Sequence, residues 1–190
     1  MTDACWWLWL SFVLGPGAAH CRRLLDVYGS ARAVHEAVGR EDLSDLLTPS
    51  QCGRLSTDPA VFAPMEARCA ALGAQVLTMA DPDYPSRLMD IEDAPPALFV
   101  TGEVSALNAG HTVGMIGSRR PSAYGVEAAA GIGKQLAEAG VCLVSGLADG
   151  LDSEAHRAAV NAGAPTIGVL GTPIDQTYPA TNRRLRAQME

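Results

Sequence analysis

Residues 112–125, TVGMIGSRRPSAYG, decide the fold. Thr112 to Ile116 is a short apolar run that reads as a strand, Gly117 to Ser122 is rich in turn residues, and Ala123 to Ala139 has the alanine-rich texture of a helix. The alternation continues downstream: Val141 to Ser145 reads as a strand, Ser153 to Ala162 as a helix and Thr166 to Leu170 as a strand. Strands alternating with helices of this length imply right-handed crossovers and a parallel sheet. The expected class is therefore α/β, a parallel sheet with helices on both faces.

Upstream the texture differs. Apolar positions recur at helical spacing in Trp6 to Val13, Ala19 to Val27, Ala31 to Val38 and Pro64 to Leu72, and Leu46, Leu47, Thr48 and Pro49 read as a further helix start. The turn Leu14 to Gly17, LGPG, resembles a helix-hairpin-helix turn, which can offer backbone N–H groups to a DNA phosphate; an ordinary tight interhelical turn has the same composition. From Gly73 short apolar runs return, with Gln75 to Met79 and Ala97 to Thr101 reading as strands. The expected division is a small all-α, SAM/helix-hairpin-helix-like domain over 1–72 and an α/β domain over 73–190.

In open parallel sheets, ligands bind where loops leave the carboxyl ends of the strands. The first such loop holds Gly117, Ser118, Arg119, Arg120, Tyr124 and Gly125. Glycine lets the backbone approach an anion, the following helix start supplies free N–H groups, and arginine adds bidentate hydrogen bonding to phosphate oxygens. The second loop holds Ser145, Gly146, Gly150 and Asp152, and resembles a dinucleotide fingerprint only loosely, because GLADG lacks the GxGxxG spacing. The third runs from Gly171 to Asn182 and leads into Arg183, Arg184 and Arg186, which stand near the same rim or form a solvated helical face.

Ser145, Asp152 and His156 contain the parts of a catalytic triad. The plainer reading is stronger: no GxSxG elbow surrounds Ser145, and Asp152 or Ser153 is placed to cap the helix that carries His156. Tyr124 and Tyr178 offer π faces on which a base could stack, or they pack as ordinary aromatics. No catalytic residue, no metal site and no cofactor is expected. The five cysteines are scattered and never form CxxC, so neither a disulfide framework nor a zinc site is suggested.

The net charge of −7 argues at first against a polyanion partner. Its distribution softens the objection. Residues 1–110 hold 7 basic and 14 acidic side chains, whereas 111–190 hold 7 of each, with a local basic cluster. The apolar start, Ala4 to Leu14, carries Asp3 where a signal peptide has a basic residue and is too short to span a bilayer, so it reads as a buried helix. The expectation is a cytoplasmic protein with no membrane partner.

Four blocks in register carry a family resemblance: DPDYPSRLMDIEDAPPALFVTG from Asp81, MIGSRRPSAYG from Met115, SGLADGLDSEAH from Ser145 and TIGVLGTPIDQTYPATNRRL from Thr166. Together they resemble the DprA/Smf family, and LGPG and LLDVYGS resemble its amino-terminal helical domain. The resemblance implies a Rossmann-like domain that binds and protects single-stranded DNA without sequence preference and helps load the RecA recombinase in natural transformation and recombination. Carried over by position, Ser118, Arg119, Arg120, Ser145, Gly146 and Gly150 are the implied phosphate-binding residues, and no catalytic residue is implied.

Family members continue past the position of Glu190, so a fragment or a shortened relative is expected. The stretch that carries the family's usual dimerisation face has no counterpart here, which leaves a homodimer open. Strands lost from a parallel sheet would also leave an uncovered edge, an association hazard. The rival class is a nucleotide-processing Rossmann-like enzyme of the phosphoribohydrolase type, whose PGGxGT signature is not found, although the position where it would fall lies past Glu190. An NAD-binding domain would need an acidic residue at the end of the second strand, where Ser145 stands.

Overall fold

In the computed structural model, which describes residues 1–15 and 20–190, the apolar start of the chain is one helix, α1 (Asp3–Leu14). A helix apolar all round is stable only when surrounded. Trp7, Trp9, Leu10 and Val13 are accordingly buried, packed with Cys21 and Leu24 of α2 (Cys21–Tyr28) and Ala31 and Val34 of α3 (Ala31–Ala37). Ser30 caps α3 by accepting from the Ala33 amide. Thr48 and Gln51 form a capping box at α4 (Pro49–Cys52), the start that Leu46 to Pro49 had indicated. Gln51 is buried because its side-chain amide also donates to the Leu14 carbonyl, 3.0 Å away, satisfying one acceptor left over at the end of α1. The LGPG turn includes Pro16 and Gly17, which lie outside the described residues.

Helix α5 (Ala63–Ala71) leads into β1 (Gln75–Thr78), which pairs antiparallel with β2 (Ala97–Val100) in the register Gln75 to Val100 through Thr78 to Ala97. Met79 and Ala97 pack on the same apolar core as α1. Packing thus groups this ribbon with the helices, and the chain divides into two compact units, Met1–Val100 and Thr101–Glu190. The division expected from composition, at 72/73, groups it with the parallel sheet.

The second unit is α/β and Rossmann-like, as expected. β3 (Thr112–Gly114), β4 (Cys142–Ser145) and β5 (Thr166–Gly168) form a parallel sheet in that order. Helices α6 (Ala123–Glu138) and α7 (Leu151–Ala162) make the two crossovers and pack on each other. Gly133 allows it: a Cβ there would stand 2.9 Å from the Ala158 methyl. Leu143, Ala137, Ala155 and Ala159 form the core between them, with Met115 against it. The strands stop short of the apolar runs that predicted them, although Met115 N to Val144 O (2.9 Å) and Val169 N to Ser145 O (2.8 Å) carry the ladder one bond further. Helix α8 (Arg183–Met189) packs on α7. Among the described residues no helix is long and apolar enough to cross a membrane.

Candidate nucleic-acid interface

The loops after β3, β4 and β5 meet at one rim. Gly150, at φ +82°, lies against the backbone of the first loop: a Cβ would overlap the Ser118 carbonyl oxygen and stand 2.9 Å from Arg119 backbone atoms. Leu151 N donates to that same Ser118 oxygen at 3.1 Å, and a Cβ on Gly117 would meet the Leu151 side chain at 2.5 Å. Close approach is the reason for glycine at both positions, to backbone at Gly150 and to the Leu151 side chain at Gly117. The third loop joins through Thr181 Oγ1, which donates to Asp149 Oδ1 at 3.0 Å. Asn182 Nδ2 likewise donates to the carbonyls of Leu147 (2.9 Å) and Ala148 (3.3 Å). Leu147 is a leucine held at φ +54°, a conformation that persists only where its surroundings enforce it.

Beneath the rim lies a layer of buried polar side chains, each bonded to loop or strand backbone. Asp152 Oδ1 accepts from Gly117 N (3.3 Å) and its Oδ2 from Gly146 N (3.2 Å), so one carboxylate ties the first loop to the second. Ser145 Oγ donates to Met115 O and Ser153 Oγ to Ala148 O, both at 2.6 Å. The expected capping role of Asp152 or Ser153 is corrected here. Helix α7 starts at Leu151 with Gly150 as its N-cap residue and no side-chain cap, because the sharp turn against Ser118 requires a positive φ at the capping position. Asp152 and Ser153 fall inside the first turn, which sequence spacing alone does not resolve.

His156, fully buried on α7, pairs through Nδ1 with Thr166 Oγ1 at 2.7 Å. The Thr166 hydroxyl proton goes to Leu143 O at 2.7 Å, so the imidazole Nδ1 is the donor in that pair. Burial pushes the His156 pKa down to about 4, against the opposing pull of the Asp152 charge and the Ser145 backbone. The imidazole is neutral at pH 7, and its buried Nε2 has no partner among the described residues. The Ser145 hydroxyl is committed to Met115 O, so the triad reading finds no support in the hydrogen bonding. Thr166 was not singled out from sequence; a threonine opening a strand that faces a histidine-bearing helix was the available signal.

The outward side is different in kind. Gly117, Ser118, Arg119, Arg120, Gly146 and Arg183 are exposed, and Gly125 and Gly150 are half-buried. Tyr124 is 80% exposed. Ser118 Oγ accepts from Arg120 N, and Ser122 Oγ caps α6 by accepting from Gly125 N, each at 3.1 Å. Among the described residues no group pairs with the guanidinium of Arg119, Arg120, Arg183 or Arg184. Arg186 is otherwise engaged: it donates to Ile174 O (2.6 Å) and Gln176 O (2.8 Å) and pairs with Glu190 (2.8 Å), which makes it a brace of the third loop. Unpaired guanidinium groups beside ordered glycine turns can bind anions through bidentate hydrogen bonds.

A family model described as DNA recombination-mediator protein A matches residues 75–190. The DNA processing protein DprA of Bacillus subtilis is 34% identical over 117 residues, covering 62% of this chain and 39% of that protein. Among solved structures, DprA of Streptococcus pneumoniae superposes with a TM-score of 0.72 at 26% identity, over 98% of this chain and 64% of that one. DprA of Helicobacter pylori, whose structure is described by its single-stranded DNA binding mode, superposes with a TM-score of 0.53 at 28% identity, over 60% of this chain and 51% of that one. The chain thus spans less than two thirds of the length of these relatives. With the match covering more than half of its residues, the chain belongs to the DNA recombination-mediator protein A family.

Proposed function

We propose that the glycine rim of the second unit binds the backbone of single-stranded DNA. The observation that carries this reading is the pair Arg119 and Arg120, two exposed guanidinium groups with no partner among the described residues, seated on a loop whose backbone is held by Asp152 and Gly150. Phosphates meet Ser118, Arg119, Arg120 and Arg183, and Tyr124 offers its ring to a base. Ser145, Asp152 and Asn182 act from below by holding the loops, with Gly117, Gly125, Gly146 and Gly150 giving the backbone room. The protein works in the cytoplasm, without catalysis, in DNA processing during transformation and recombination, and delivers its strand to the RecA recombinase. The division into a helical domain over 1–72 and a DNA-binding domain over 73–190 belongs to the same proposal.

The test is a fluorescence titration with oligothymidylate at rising salt. Salt-sensitive binding is expected, and Arg119→Ala with Arg120→Ala weakens it while leaving thermal unfolding within about 0.5 kcal/mol of the parent. Unchanged binding in that double variant refutes the site. Release of free base from adenosine monophosphate would decide for the phosphoribohydrolase class instead.

A further inference from the structure

The backbone amides of Gly117 and Gly146, one from each of the first two glycine loops, share an acceptor. Asp152 reaches up from the first turn of α7 and takes one on each carboxylate oxygen, at 3.3 and 3.2 Å. Asp152 is 7% exposed, and a Cβ on Gly146 would come within 2.8 Å of its Oδ2, so its carboxylate fills the space between the loops. Its charge is supported by those two donors and by the amino-terminal end of a 12-residue helix. Charge-assisted bonds of this kind are stronger than neutral ones, and a second anion entering the same space would meet like-charge repulsion.

We infer that Asp152 is a resident anion that sets the specificity of the rim: it keeps compact terminal phosphates out of the Gly117 and Gly146 amides. Ligands are thereby met further out, by Arg119 and Arg120. A mononucleotide or inorganic phosphate carries its charge on one small group and needs a pocket of converging donors to bind well. A strand carries one charge per nucleotide and binds by summing contacts along an open surface. A filled pocket flanked by unpaired arginines therefore selects the polymer. This specificity rests on the strand-binding reading above, but its central statement, that a carboxylate occupies the amide pair, is tested without DNA.

The experiment compares the full chain with Asp152→Ala and Asp152→Asn, after circular dichroism confirms that each is folded. Adenosine monophosphate and inorganic phosphate are titrated by calorimetry, and the Gly117 and Gly146 amide signals are followed by nitrogen-15 NMR. The parent is expected to bind neither small anion measurably. Asp152→Ala should gain affinity for both by about tenfold or more, the scale of one hydrogen bond to a charged group, with both glycine amides moving on titration. Asp152→Asn, which keeps the bulk without the charge, should gain less. In the parent, oligothymidylate should move the Ser118 to Arg120 signals and leave those of Gly117 and Gly146 nearly in place. Small-anion binding by the parent, or no gain in folded Asp152→Ala, overturns the inference. Failure of the parent to bind oligothymidylate, with the Asp152→Ala gain intact, overturns only the strand-binding reading.

Discussion

Gly150 and Ser118 are in direct backbone contact: the Ser118 carbonyl oxygen occupies the space that a side chain on Gly150 would need, and it accepts from the next amide along, Leu151 N. The contact holds the first two loops of the rim together. Gly150→Ala combines that overlap with a backbone conformation of φ +82° and ψ −130°, a region that residues other than glycine avoid. The expected loss of stability is about 1–3 kcal/mol from the backbone alone. Urea unfolding measures it, and an alanine variant as stable as the parent would show the loops to be apart.

His156 makes the second unit sensitive to acid. Its pKa is about 4 in the folded chain against an ordinary 6.5, so the unfolded chain binds a proton first as pH falls. The stability associated with the neutral imidazole is complete above about pH 6.5 and declines as pH drops toward 4. The total is on the order of 3 kcal/mol. Unfolding midpoints at pH 7.5 and 4.5 should separate strongly in the parent and much less in His156→Gln. Equal separations would mean that the imidazole is not held neutral.

Asn182 holds Leu147 and Ala148 in place by donating to both carbonyls from a buried position. Asn182→Ala leaves those acceptors without their donor and releases a leucine at φ +54°, at an expected cost of about 1–3 kcal/mol. Hydrogen exchange should accelerate across residues 146–151 and stay unchanged in β1 and β2.

Arg183 and Arg186 are three residues apart on α8 and differ in role. Arg183 is exposed and without a partner among the described residues, whereas Arg186 anchors Ile174, Gln176 and Glu190. Arg183→Ala should reduce the salt dependence of oligothymidylate binding by about 0.7 in the logarithmic slope, one phosphate contact on a single strand, with stability unchanged. Arg186→Ala should lower the unfolding midpoint first. The reverse pattern would exchange the two roles.

Strand, loop and helix order was legible in the sequence because each apolar run is bounded by glycine or proline. The region 112–168 folds in the predicted order, with boundaries displaced by one or two residues. The pairing of β1 with β2 was not legible, since antiparallel register between strands 19 residues apart depends on packing against α1. The rim's outer residues were identifiable by type: arginine, glycine and tyrosine in a strand-to-helix turn announce an exposed loop, and the loop is exposed. Of the rim's inner layer, Ser145, Asp152 and Asn182 were legible as loop residues, but their inward bonding was not. Asp152, Ser153 and Asn182 are ordinary surface-type residues in composition, and only three-dimensional placement reveals that their polar atoms bond to backbone inside the fold. Arg186 shows the same limit in reverse, as a residue in a basic run that turned inward.

The close approach of α6 to α7 at Gly133 also governs the rim from a distance. Gly133 lies ten residues into α6, so a methyl that wedges the helices apart there would swing a rigid rod about 15 Å long. The free end of that rod carries Ser122 and Tyr124. A substitution packed against Ala158, Leu143 and Met115, touching no loop, would then shift the first loop against the second.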